Sequence, residues 1–242
     1  MKFIGYIPYG YPNLEKSLHS IELYIEAGCE AFELSFPRYD APGESPMIVD
    51  FMNKALDNCS DFDKYMDGVR DLRNRHEEIE INLLIFMDTI QSIGMGKFVE
   101  FCHEVNINAL ICPHSKEYET EKQWLSDHVI RFFTSFGYGG TDEDLQNCLK
   151  PNQVMSMTAF CPAWQEYKRD DFNRPKDIVD FLRSHGVTNP IYAGVGIKTL
   201  ENAVEVKEAG ADGFFVGATI MSLIGKDEEQ LEMVKKFIEA GK

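Results

Sequence analysis

The chain has 242 residues, 44% of them apolar, and a formal net charge of −16. That length suits one domain with a sizeable core, and no run of about eighteen apolar residues offers a membrane span. The charge excludes the basic footprint needed for sequence-independent binding to nucleic acid or anionic lipid. A small phosphorylated ligand stays open, because a local cup of N–H groups overrides the global field. The six cysteines (Cys29, Cys59, Cys102, Cys112, Cys148 and Cys161) are scattered with no Cys-x-x-Cys pair, which predicts reduced thiols and no metal site. Met1-Lys2 leads directly into strand-like Phe3–Ile7, too short for a signal peptide, so a cytoplasmic protein is expected.

In chain order, Phe3–Pro8 reads as a strand closed by Tyr9-Gly10-Tyr11-Pro12. Asn13 caps a helix to Ala27 with Leu14, Leu18, Ile21 and Ile25 on one face, and Gly28 stops it. Ala31–Ser35 is a second strand, followed by a Pro/Gly-rich loop over Phe36–Pro46. Helical runs occupy Met47–Leu56 and Asp61–Arg75, then a strand over Ile81–Phe86 and a helix over Met95–Val105. Ala109–Cys112 and Val129–Thr134 are strands four and five, separated by a helix over Tyr118–Asp127. A short helix over Asp142–Leu149, a strand over Val154–Met157 and a helix over Pro175–His185 follow.

The last units are the most informative. An apolar strand from Ile191 ends in Gly194 and Gly196, Thr199 caps a helix to Ala209, and a second apolar strand ends in Gly217. Ala218–Leu223 then forms a short extra helix before the longer one over Asp227–Ala240. Glycines at the ends of two successive parallel strands let backbone N–H groups approach an anion. In a (β/α)8 barrel the loops after the last two strands commonly make the phosphate site. Close packing alone would also use glycine here.

Eight strand–helix alternations without a linker predict one α/β domain over residues 1–242, a (β/α)8 TIM barrel. An open doubly wound sheet would carry its glycine fingerprint after the first strand, where only Gly10 stands. In a barrel the chemistry lies at the carboxyl ends of the strands. Glu33 is the outlier there, an acid embedded in Ala-Phe-Glu-Leu-Ser-Phe. Burial would raise its pKa and suit it to general acid/base work; a structural ion pair is the alternative. Glu44, in the loop Ala41–Pro46, could reach back as a second carboxylate, although most loop glutamates are simply solvated. His114 ends strand four and could carry a proton, but lacks partners at metal-ligand spacing.

Gly-Tyr-Ile-Pro-Tyr-Gly-Tyr-Pro at residues 5–12, Ile25-Glu-Ala-Gly28, Ala31-Phe-Glu-Leu-Ser-Phe-Pro37 through Asp40 to Glu44-Ser-Pro46, Gly194-Val-Gly-Ile197 and Gly213–Ile220 together resemble the tryptophan synthase α subunit family. The similarity runs through nearly the whole chain. The family implies cleavage of indole-3-glycerol phosphate to indole and glyceraldehyde 3-phosphate, with no cofactor in this subunit. It also implies a pyridoxal-phosphate β subunit as partner. By the resemblance, Glu33 matches the catalytic glutamate, and Glu44 falls on the second acid, an aspartate that holds the indole N–H. Tyr6, Leu84 and Phe86 match positions lining the indole pocket, Gly196, Gly217 and Ala218 match phosphate-cup positions next to the strand-end Gly194, and Pro37 and Asp40 match loop positions facing the β subunit.

The chain also departs from the family pattern. Ala218 stands where the family has a serine, Tyr11 and His114 replace aspartates, and a barrel lacking the family's N-terminal helix is expected. The arginine and Gly-Val-Thr-Gly of the sixth loop give way to Ala159-Phe-Cys-Pro-Ala-Trp164, where Trp164 would cover or occupy the cup. Two further readings therefore stay open. One is a non-catalytic module that binds a phosphorylated ligand or a β subunit. The other is a lyase for a different phosphorylated substrate, with Trp164 and Met155 reshaping the pocket.

Overall fold

A computed structural model describes residues 1–114, 117–150, 154–162 and 166–242, and of Met155 the backbone alone. The chain divides into two compact units.

The first unit comprises Tyr6–Glu26 and Glu30–Phe132. It holds the second half of β1 (Lys2–Pro8), then α1 (Leu14–Glu26), β2 (Ala31–Ser35), α2 (Pro46–Asn58), α3 (Phe62–Arg75), β3 (Glu80–Leu84), α4 (Met87–Ile93), α5 (Met95–Glu104), β4 (Ala109–Ile111) and α6 (Glu119–Asp127). Strand β2 pairs in parallel with β3, Glu33 opposite Asn82 and Ser35 opposite Leu84, and β3 pairs in parallel with β4. Tyr9 N–H donates to the Ser35 carbonyl at 3.1 Å, tying the end of β1 to β2. Helix starts follow the capping rules: Asn13 Oδ1 accepts from Lys16 N–H at 2.9 Å, and the Ser45 and Asp61 side chains cap α2 and α3. An aromatic cluster of Tyr9, Phe36, Tyr65 and Phe101 fills the space behind the strand ends, with Tyr9 and Tyr65 edge to face at 5.6 Å. Its hydroxyls are satisfied, Tyr9 donating to Tyr65 O at 3.1 Å and Tyr65 hydrogen-bonding Cys59 O at 3.0 Å.

The second unit comprises Met1–Gly5, Ala27–Cys29 and Phe133–Lys242. It contains β5 (Phe133–Phe136), α7 (Asp142–Cys148), β6 (Val154–Thr158), α8 (Pro175–Ser184), β7 (Ile191–Gly194), α9 (Leu200–Glu208), β8 (Gly213–Val216), α10 (Ala218–Met221) and α11 (Asp227–Gly241). β5 through β8 pair in sequence, all parallel, and β8 pairs with the first half of β1, Lys2 opposite Gly213. Thr199 and Asn202 form the expected cap on α9 as a reciprocal capping box.

The strand order is β4-β3-β2-β1-β8-β7-β6-β5, cyclic in sequence, and a parallel bridge from Leu110 to Phe132 stands where that order is cut. This is the topology of a (β/α)8 barrel.

Two local expectations change. Strand five starts at Phe133, not Val129. Val129 has φ of 62°, is 80% exposed, and donates its N–H to Ser126 O at 2.9 Å, so it completes the end of α6. Strand three ends at Leu84 and not Phe86; Ile85 and Phe86 lead into α4, a helix absent from the sequence reading. Gly94, at φ of 97°, divides α4 from α5.

Candidate active site

The chemistry of the first unit gathers around Glu33. Alternation along β2 sends Phe32 and Leu34 to one face and Glu33 and Ser35 to the other, and all are buried. Glu33 is 7% exposed and its pKa is pushed up to about 8, first by burial and then by the negative charge of Glu44. Among the described residues no cation offsets either cause, which favours the protonated form of Glu33 at neutral pH. Glu44, half-buried in the loop before α2, has its pKa raised by burial. Two carboxyls in unequal surroundings, the charge of Glu44 helping to raise the pKa of Glu33, are the kind of pair in which acid and base roles are divided.

Tyr6 of β1 meets the same group. It is buried, and its phenol pKa is raised by burial, held back by the neighbouring Ser35 hydroxyl, and raised again by Glu33 and Glu44. The Tyr6 and Ser35 hydroxyls lie beside each other, yet among the described residues neither makes a hydrogen bond of good geometry. Asn82 of β3, opposite Glu33, donates its amide to Glu80 Oε1 at 2.9 Å and leaves its own oxygen unpaired. Buried polar groups are nearly always satisfied, so three unpaired ones around one acid mark a place where a partner is expected.

Tyr6, Glu33 and Glu44 thus come together. Leu84 ends β3, buried, in register with Ser35. Phe86 is buried at the start of α4 with the Arg38 guanidinium 5.3 Å from its ring centroid. Pro37 is buried and Asp40 exposed, the latter held by Asn53 at 3.0 Å. Pro37 and the Arg38–Asp88 ion pair, at 2.7 Å, border a cleft of about 430 Å³ that Leu56 and Phe62 also line. His114 lies three residues beyond β4, exposed, against Gly43. Tyr11 stacks on Phe51 of α2 with centroids 3.9 Å apart.

Sequence reasoning missed Ser35 and Asn82 as site residues. Their signal was present: each is a small polar residue between two apolar neighbours, Ser35 two positions from the acid and so on its face.

The second unit carries the glycine strand ends. Gly194 closes β7, and Val195 and Gly196 both have positive φ, 54° and 91°. A Cβ on Gly196 would lie 2.9 Å from Phe160 Cβ, so the close approach requires glycine. The chain after β6 is rooted here: Ala159 N–H donates to Gly194 O at 2.6 Å and Phe160 N–H to Val195 O at 3.2 Å. Gly217 caps α10, and the Thr219 hydroxyl donates to Lys198 O at 2.9 Å, fastening α10 to the turn after β7. First-turn N–H groups of a helix, here those of Ala218 and Thr219, have no intrahelical acceptor. Met155 lies on β6 opposite Ile191; Trp164 falls outside the described residues. Among the described residues no group of three or more His, Cys, Asp or Glu side chains converges as a metal site would require.

A family model for the tryptophan synthase alpha chain matches residues 1–242. The chain belongs to the tryptophan synthase alpha chain family. An alpha chain from Oceanobacillus iheyensis is 25% identical over 94% of this chain and 86% of its own length. The alpha chain of Helicobacter pylori is 27% identical over 98% and 92%. A solved structure from Aquifex aeolicus superposes with a TM-score of 0.86 at 25% identity, covering 99% of this chain and 92% of that one. Tryptophan synthase from M. tuberculosis in an aminoacrylate-bound form, at 17% identity and a TM-score of 0.79 over 99% and 92%, shares the fold. The (β/α)8 barrel and the family expected from the motifs are therefore both correct.

Proposed function

We propose that this chain is an alpha-chain-type lyase that cleaves an indole-3-glycerol phosphate into the indole and glyceraldehyde 3-phosphate. The observation that carries the reading is Glu33, an acid buried on β2 beside Tyr6 and Glu44, its pKa raised with no offsetting cation among the described residues. Cleavage breaks the bond between indole C3 and the glycerol carbon, with the electron pair staying on the ring. The Glu33 proton goes to C3, and the hydroxyl on the leaving carbon gives up its proton as it becomes the aldehyde, restoring Glu33. Glu44 accepts the ring N–H, which it does best ionised. Its longer side chain, relative to an aspartate, moves the acceptor by one methylene. The glycine strand ends at Gly194, Gly196 and Gly217, with the amide of Ala218, supply donors for a phosphate. No cofactor is required by this chemistry.

Pro37, Arg38, exposed Tyr39 and Asp40 support a β-subunit-facing loop in the first unit. A non-catalytic binding module is the second reading, favoured by Ala218 and by the replaced loop after β6. One assay separates them: release of indole from indole-3-glycerol phosphate by the purified chain, alone and with a tryptophan synthase β subunit. Release in either condition supports the lyase; ligand binding without release supports the module.

A further inference from the structure

The two hydroxyls beside Glu33 are an unusual way to build a pocket for an apolar ring. Ser35 is fully buried and Tyr6 is 6% exposed, and neither hydroxyl oxygen has a hydrogen-bond partner of good geometry among the described residues. Phenylalanine and alanine would fill the same space without that cost, since a buried unpaired donor or acceptor opposes folding. Ser35 is the last residue of β2 and Tyr6 stands on β1, so both lie towards the strand ends where the Glu44 loop begins. Their charge environment includes the same two carboxyls that the proposed reaction uses. Buried unpaired polar groups inside a site are ligand contacts waiting for a ligand, and removing them characteristically benefits stability at the expense of function.

We infer that the ring-binding end of this site selects an indole bearing an oxygen substituent, hydroxyl or oxo, over unsubstituted indole, and that Tyr6 and Ser35 are the specificity-determining residues that read it. This rests on the lyase reading for the identity of the ring, and it adds the class of ring. A phenol and an aliphatic hydroxyl side by side both donate and accept, so together they match a substituent oxygen in two directions. A site with such groups rejects a ligand lacking the partner far more strongly than an apolar pocket rejects one extra atom, because the empty pairing leaves the site's own groups unsatisfied.

The test measures binding of indole and of indoles hydroxylated at each benzo-ring position by calorimetry, with wild type, Tyr6→Phe and Ser35→Ala. At least one hydroxyindole is expected to bind wild type about tenfold or more tightly than indole, and that preference is expected to shrink to about twofold in either variant. Thermal melts of the variants are expected to match or exceed wild type, which shows that the loss is not unfolding. The inference is overturned if no hydroxyindole outbinds indole, if neither ring binds, or if both variants keep the preference. Turnover of indole-3-glycerol phosphate is scored separately. Turnover without ring preference sinks this inference alone, and preference without turnover sinks the lyase reading alone.

Discussion

The imidazole of His114 rests against Gly43, so closely that a Cβ at Gly43 would overlap its Nε2. Gly43 has φ of 78° and immediately precedes Glu44, so the histidine after β4 braces the loop that carries the second carboxyl. Gly43→Ala is therefore expected to displace Glu44 and lower lyase turnover by roughly tenfold or more, the scale of a misplaced catalytic group. His114→Ala in the same background opens the space and should recover part of the loss, a coupling that a double-mutant cycle measures directly. Absence of recovery would assign the effect to backbone strain at Gly43 instead.

Glu33→Gln keeps the shape of the side chain and removes its exchangeable acidic proton. If Glu33 delivers the proton to C3, turnover falls by about 10² or more while the melting temperature holds or rises. Near-normal indole release by the purified variant would remove Glu33 from the mechanism.

The same carboxyl ties stability to pH. Unfolded, it releases its proton near its ordinary value of 4.5; folded, it keeps the proton to about 8. Between those values the folded state binds more protons, so unfolding free energy falls as pH rises. The contribution is fully present below about 4.5 and lost as pH passes about 8. Urea unfolding of wild type from pH 5 to 9 should show this decline, on the order of 4 kcal/mol at most, and Glu33→Gln should lack it. Parallel pH profiles for the two proteins would mean that Glu33 is not the group responsible. Activity that needs the protonated acid should decline over the upper part of the same window.

Ala218 leaves the first turn of α10 without a side-chain hydroxyl. Ala218→Ser should tighten inorganic phosphate binding by roughly 1.5–3 kcal/mol, the size of a hydrogen bond to a charged group. A phosphate titration in which the two proteins are indistinguishable would show that this turn does not hold phosphate.

Much of this architecture was legible before any coordinates. Apolar strands alternating with capped helices sufficed for the barrel, because the periods of 2 and 3.6 and the capping residues act locally: Thr199 with Asn202 and Asn13 with Lys16 behave as their spacing implies. Glu33 was legible for the same reason, as a charge in an apolar strand. Val129 was misread because a β-branched residue after a helix looks like a strand start, whereas its left-handed backbone completes the turn of α6. Ser35 and Asn82 stood out only as polar residues between apolar neighbours; that their polar atoms go unmet, and that a histidine braces Gly43, was not legible, since both depend on which distant residues fold against them.

Tyr6, Glu33, Ser35 and Glu44 all lie on one short stretch of chain, from the middle of β1 to the loop after β2. These four polar groups, though not the apolar Leu84 and Phe86 of the proposed ring pocket, are therefore inherited as a block. A single recombination event spanning that stretch could exchange the chemistry at the ring between two members of the family, while the glycine strand ends, encoded far downstream, are left as they were.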